Sequence, residues 1–191
     1  MHTSVHRLFG CGLLMLLLLG CYKITFETIP GNYPVRDMRL TLHDGRVTEV
    51  FVRVQSGVRL DSLVDISYFD GLGYKMNLEA AKRRLGEPHG VRTQPDMRLP
   101  VSVYPVPKGE VGFMAVPTSG GTQPQVWAFP RNPSPRIVIL DPSLHTQLLQ
   151  CLPSDQAVRV HVLRDVGYGS ITLSMTSNRV DYLVLGPRDG E

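Results

Sequence analysis

The chain has 191 residues, 42% of them hydrophobic, with a formal net charge of +3. That length supports one domain, or two small ones, with a substantial core. Its charges are scattered, which excludes a nucleic-acid-binding protein of the usual kind, since that needs basic residues clustered on one face.

The first element is the apolar run Leu13-Leu14-Met15-Leu16-Leu17-Leu18-Leu19-Gly20-Cys21, preceded by Arg7. It is too short for the ~20 apolar residues that span a bilayer. A cationic start, a leucine-rich centre and small Gly20 before Cys21 are the pattern of a secretory signal cleaved after a small residue. Leu18-Leu19-Gly20-Cys21 also resembles the lipobox of bacterial lipoproteins. The resemblance implies cleavage after Gly20 and a diacylglycerol on the Cys21 sulfur, with palmitate-type acyl chains, two or three in all. Two or more chains anchor stably where one holds only marginally. Tyr22 stands where inner-membrane lipoproteins commonly carry Asp, so the resemblance points to the outer membrane. Residues 1–20 are thus read as signal peptide, 21–35 as lipidated N-terminus and short linker, and 36–191 as the folded body.

Of the three cysteines, Cys11 leaves with the signal and Cys21 is consumed by lipid, so Cys151 has no intramolecular partner. It lies in an apolar helical pattern and reads as a small core residue, with an intermolecular bridge as the alternative. Tyr22 to Pro34 places Ile24, Phe26 and Ile29 at strand-like positions and contains no long flexible tether. The body is therefore expected to sit close to the bilayer.

Met38 to Val54 predicts a hairpin at Asp44-Gly45. The expected turn is a three-residue loop, His43-Asp44-Gly45, with a bulge at Gly45 that sets Leu42 opposite Arg46, Leu40 opposite Thr48 and Met38 opposite Val50. This gathers Met38, Leu40, Val50, Val52 and Val54 on one face. From Val58 to Asp70 the signals conflict, and a short helix after Asp61 is preferred over an extended segment. Asp70-Gly71-Leu72-Gly73 lacks the third glycine of a phosphate-binding fingerprint.

Asn77 to Leu85 predicts a helix capped by Asn77 and stopped by Gly86 and Pro88, with Leu78, Ala81 and Leu85 on its apolar stripe. Lys82-Arg83-Arg84, the one basic triplet, suits a solvated C-terminal turn. Met76 to Pro88 resembles the helix ending in Leu-Gly-x-Pro of the SmpA/OmlA small outer-membrane lipoproteins, the type that includes BamE. Lys75 and Asn77 replace that family's usual glycine and threonine. The resemblance implies a small α+β lipoprotein that works by binding envelope partners, and it transfers no partner-binding residue.

His89 to Arg136 is rich in proline and glycine. Short β-prone pieces broken by Pro100, Pro105, Pro107, Pro117, Pro124 and Pro130 read as edge strands and loops. Tyr104, Phe113, Trp127 and Phe129 are read as core, with a binding surface as the alternative. Ile137 to Leu140 predicts a buried strand, and Asp141-Pro142 then caps a helix with Leu144, Leu148, Cys151 and Leu152 on one face. Ala157 to Leu163 predicts a strand, and Ser170 to Leu185 a hairpin around Thr176-Ser177-Asn178. Leu40-Thr41-Leu42 with Arg46-Val47 and Val50 parallels Ile171-Thr172-Leu173 with Arg179-Val180 and Leu183. If this is a degenerate duplication, 36–98 and 99–191 are its two subunits of structure.

The expected fold is therefore α+β, antiparallel hairpins packed with two or three short helices. No nucleophile elbow is present, His145 and Cys151 fall on different helix faces, and His43, His89, His145 and His161 lack metal-ligand spacing. His161 reads as a strand surface residue. No catalytic residue, metal or cofactor is implied. The expected function is a non-catalytic envelope lipoprotein that binds another envelope protein or peptidoglycan, lipidated at Cys21. The alternative is a small-ligand- or lipid-binding module, with enzymatic activity left open and the middle aromatics around its pocket.

Overall fold

Ten strands hydrogen-bond in a single mixed sheet in the order β1-β2-β3-β8-β9-β10-β7-β6-β5-β4. The computed structural model describes residues 23–73, 78–93, 100–118, 121–131, 133–164 and 169–186. The strands are β1 (Ile24–Pro30), β2 (Val35–His43), β3 (Arg46–Val54), β4 (Gly90–Arg92), β5 (Val101–Val106), β6 (Gly109–Thr118), β7 (Gly121–Pro130), β8 (Val158–Leu163), β9 (Ser170–Met175) and β10 (Val180–Gly186). Three helices are described, α1 (Leu78–Leu85), α2 (Pro135–Val138) and α3 (Pro142–Cys151), together with 3-10 turns at Leu60–Ser62 and Ile66–Phe69. The fold is β-rich, which corrects the expected α+β arrangement of hairpins packed with helices.

The proline-rich middle is the main source of that difference. It forms the four-stranded meander β4 to β7 instead of edge strands and loops. A proline removes one ladder donor, so it is harmless where a strand has a neighbour on one side alone. Pro105 lies beyond the three residues of β5 that β4 covers. Pro117 and Pro124 pair with each other's strands in the part of the β6–β7 hairpin that neither β5 nor β10 reaches.

The β2–β3 hairpin has the expected buried face, Met38, Leu40, Val50, Val52 and Val54. Its register differs from the expected one. Asp44 and Gly45 both take positive φ, 50° and 76°, which makes a two-residue turn with His43 opposite Arg46 and Leu42 opposite Val47. The extra residue falls instead at Thr48, where the pairing shifts so that Leu40 meets Val50. The bulge thus moves three residues along and still puts the same side chains inside.

Residues 58–70 form the two 3-10 turns in place of one α-helix. Asp65 accepts the Ser67 N–H at 2.9 Å and starts the second turn. Ile137 and Val138 belong to α2 and not to a strand, because Ser134-Pro135 starts a helical turn; Ile139 alone makes a β-bridge, to Val64. In α3 Asp141 accepts the Leu144 N–H at 2.7 Å, and Leu144 and Leu148 are fully buried as expected. Gln147 ties this helix to the β1–β2 turn, its amide accepting the Asn32 N–H at 2.9 Å and donating to the Asn32 carbonyl at 3.1 Å. In α1 Ala81 is buried and Gly86 takes φ 81° at the stop. The Asn77 cap lies outside the described residues.

The two similar hairpins occupy comparable places, β2 and β9 each being the middle strand of a three-stranded meander. Their helices do not correspond, since α1 follows the first hairpin and α3 precedes the second. The meanders meet through β3 and β8, the one parallel pairing in the sheet.

Alternation assigns each strand residue to one of two faces. The inner face carries the main core, including Val50, Val52, Val160, Val162, Leu173, Leu183, Val126 and Tyr104, beneath α3 and the 3-10 turns. The outer face carries a second, smaller cluster of Val101, Val103, Met114, Trp127, Phe129, Tyr182 and Val184. The β4–β7 and β10 half of the sheet is therefore apolar on both sides.

Candidate functional site

The outer face of the other half is built differently. Direct cross-strand pairing sets Thr28 of β1, Arg39 of β2, Phe51 of β3, His161 of β8 and Thr172 of β9 in one row. Arg39 lies over the Phe51 ring at 4.7 Å from its centroid and beside the Phe26 ring at 5.8 Å. A guanidinium is weakly hydrated and stacks well on aromatic faces, so two rings hold it where a carboxylate otherwise would. Phe51 stacks on the His161 ring with centroids 4.5 Å apart, and His161 Nδ1 meets Thr172 Oγ1 at 3.0 Å.

Glu49, two residues before Phe51, pairs with Arg159 and lies 4.0 Å from His161 Nε2. Asp37 accepts from Arg53 at 2.8 Å and from Arg36 at 3.1 Å. Burial raises the Asp37 pKa, but these two guanidinium bonds outweigh it and hold the carboxyl below its ordinary value. The acids of this face are thus matched to Arg36, Arg53 and Arg159, while Arg39 rests on the rings. His161 is 8% exposed, which corrects its reading as a surface residue. Phe51 covers it, and that contact depends on the β3–β8 pairing, which no local pattern announces.

Two concave regions lie elsewhere. One, about 520 Å³, is lined by Leu60, Ile66, Leu72, Ile171 and Leu185, with Arg59, Asp61 and Arg164 at its polar side. Arg59 and Asp61 pair with each other, and that bond is the first cause holding the Asp61 carboxyl below its ordinary value. The other, about 560 Å³, lies over α2 and α3 beside His145, Leu140 and Leu149. Neither includes the middle aromatics. Tyr104 belongs to the main core with Phe113 packed against it, and Trp127 and Phe129 belong to the outer cluster. The pocket imagined around those four residues does not form.

The remaining candidates disperse. His43 sits at the hairpin tip 4.0 Å from Asp44, and His89 binds Glu110 at 2.9 Å beside Arg92. Cys151 is half-buried and unoxidised, its thiol donating to the Gln147 carbonyl at 3.5 Å. Burial pushes its pKa up, so it is a poor thiolate. Among the described residues no group of three or more His, Cys, Asp and Glu is placed to hold a metal ion. Cys21 and Gly20 lie outside the described residues. Among the described residues no helix is long and apolar enough to cross a membrane.

The 3-10 turns are held against the sheet by one ion pair. Lys108, in the β5–β6 turn, donates to Asp65 at 2.8 Å and lies over the Tyr68 ring at 4.8 Å. Burial raises the Asp65 pKa, yet the Lys108 and Ser67 hydrogen bonds together bring it below its ordinary value of 3.8. A carboxylate lowered in the folded state contributes stability that is present above the unfolded pKa and lost as pH falls through the folded one. The stability advantage of wild type over Asp65→Asn is therefore expected at neutral pH and should close at pH below 3.8, measured by urea unfolding at a series of pH values. An advantage that stays constant down to acid pH would assign the difference to packing.

No family model, no curated protein and no solved structure matches this chain.

Proposed function

We propose that this chain is a lipid-anchored lipoprotein of the bacterial cell envelope. It is acylated at Cys21 after cleavage at Gly20, and its β-rich body binds another envelope component, protein or peptidoglycan, without catalysis. The observation that carries the reading is the position of β1. The strand begins at Ile24 and forms one edge of the sheet, so Cys21, Tyr22 and Lys23 are the whole connection between the lipid and the folded body. An anchor attached this directly serves location rather than reach.

The edges supply the binding surface. β1 is paired on one side by β2 and β4 on one side by β5, leaving the outer hydrogen-bonding groups of both strands available for an added strand. Tyr22 in place of aspartate after the cysteine favours the outer membrane.

The test compares the full chain with Cys21→Ser in cells. Wild type is expected in the membrane fraction, beginning at residue 21 and heavier by its acyl groups, and the variant is expected to lose the acyl mass and the membrane fractionation. A photo-crosslinker at Glu27, on β1, is expected to trap an envelope component in wild type and to lose it in the variant. An unmodified Cys21 in wild type, or a variant that stays membrane-bound, overturns the reading.

A further inference from the structure

Edge strand β1 carries two large apolar side chains in the open, Ile24 at 58% exposure and Phe26 at 65%. They stand two apart and so share the outer face with Thr28. Single exposed apolar residues are ordinary, but these two lie next to two cations. Lys23 precedes Ile24, and Arg39 is held against the Phe26 ring from the neighbouring strand.

The nearby carboxylates are otherwise engaged. Asp44 accepts the Lys23 backbone N–H at 3.1 Å and lies 4.0 Å from His43, while Asp37 and Glu49 are matched to arginines. Glu27 projects to the opposite face, directly paired with inward-facing Leu40. Exposed apolar tips flanked by Lys and Arg are the composition of surfaces that lie in the headgroup region of a bilayer.

The chain's reach adds the second constraint. Three residues separate Cys21 from Ile24, and a fully extended chain covers at most about 3.6 Å per residue. Ile24 is then within about 11 Å of an acylated Cys21, comparable to the depth at which interfacial side chains bury their apolar groups.

We infer that the outer face of β1 docks on the membrane surface, with Ile24 and Phe26 in the headgroup–acyl boundary and Lys23 and Arg39 on lipid phosphates. This inference rests on the reading of Cys21 as the acylated residue. The anchor then has a second function, fixing which side of the sheet faces the lipid. Docking by the outer face of β1 leaves its backbone edge and the distant β4 edge directed away from the acyl chains. It also gives Arg39 a task that explains its lack of a carboxylate partner: a cation seated on Phe26 and Phe51 can reach a lipid phosphate without first breaking an ion pair.

The test must separate docking from mere tethering, because a label near the anchor is close to lipid in either case. Thr28 and Glu27 are adjacent, both exposed and on opposite faces, so a tether alone treats them alike. Acylated chains carrying Cys151→Ala and either Thr28→Cys or Glu27→Cys are labelled with an environment-sensitive fluorophore. They are reconstituted in phosphatidylglycerol-containing phosphatidylcholine vesicles whose acyl chains carry bromine.

Quenching is expected to be several-fold greater at position 28 than at 27, and Phe26→Asp in the same background is expected to abolish the difference. Equal or reversed quenching with the acyl mass intact overturns the docking and leaves the lipoprotein reading standing, the outer face then being free for a protein. A difference that survives Phe26→Asp overturns it as well. A chain whose intact mass shows no acyl group, and whose Cys21 thiol therefore takes the label, overturns the lipoprotein reading and the docking built on it.

Discussion

Phe69→Ala is expected to destabilise the folded chain by about 3–5 kcal/mol, the range found for removing a buried aromatic ring. Phe69 is 1% exposed and closes the second 3-10 turn, where it packs into the main core. The segment has few other fastenings. The Asp65 N–H bonds the Val138 carbonyl at 2.8 Å, the Leu140 N–H bonds the Leu63 carbonyl at 2.8 Å, and Lys108 holds Asp65. Without an α-helix of its own, this cover over the sheet depends on side-chain burial.

Chemical denaturation should show the midpoint falling at constant slope, and at roughly 2–4 °C per kcal/mol the thermal midpoint should drop by about 10 °C or more. Ile66→Ala, in the same turn but 41% exposed, is expected to cost less than about 1 kcal/mol. Equal losses at the two positions would show that turn geometry, and not the ring, holds the segment.

Gly109→Ala is expected to be nearly as costly, for a different reason. Gly109 starts β6 with φ 149°, and a Cβ built there would lie 2.2 Å from the Phe129 carbonyl oxygen and 3.0 Å from the Pro130 Cα. The obstacle is backbone, which cannot swing aside as a side chain can. A backbone conformation unfavourable to L-residues costs about 1–3 kcal/mol, and relieving the clash adds the separation of β6 from β7. A total of about 3 kcal/mol is expected, read as a lowered thermal midpoint. Gly45→Ala is the comparison, since its φ is also positive but nothing lies within 4 Å of the added carbon. A loss at Gly109 no larger than at Gly45 would show that the strands part without cost.

Local chemistry was the legible part of this fold. The β2–β3 face, the Asp141-capped helix with Leu144 and Leu148 inward, the Gly86 stop and the Thr176-Ser177-Asn178 turn all follow from patterns spanning a few residues. In the last of these, Thr176 Oγ1 accepts the Asn178 and Arg179 N–H groups at 3.3 and 3.2 Å, an interaction available to any threonine at that spacing. What stayed hidden depends on neighbours distant in sequence. Whether Pro105, Pro117 or Pro124 breaks a strand is decided by whether another strand needs the missing donor, and that depends on how far β4, β5 and β10 extend. The turn at Asp44 misled in a smaller way. Alternation fixed which side chains face inward, but two bulge positions satisfy that requirement, and the left-handed conformation of Asp44 chose between them.

The candidate site was illegible for the same reason. Phe26, Arg39, Phe51 and His161 come from four strands, and no spacing along the chain relates Phe51 to His161. The exposed pair Ile24 and Phe26 was visible as strand-like alternation. Its being outward required knowing that β1 ends the sheet.

The β3–β8 seam has a consequence for how the protein is made. It joins segments about a hundred residues apart, so the largest loop-closure penalty in the sheet is met there. Until β8 emerges, the β1–β3 meander ends in β3, whose Val50, Val52 and Val54 are fully buried in the finished molecule and whose ladder groups lack a partner on that side. A chain arriving N-terminus first therefore carries an adhesive strand through most of its synthesis and export. Completion of the sheet waits for its last third, and a truncation before Val158 leaves that strand permanently open.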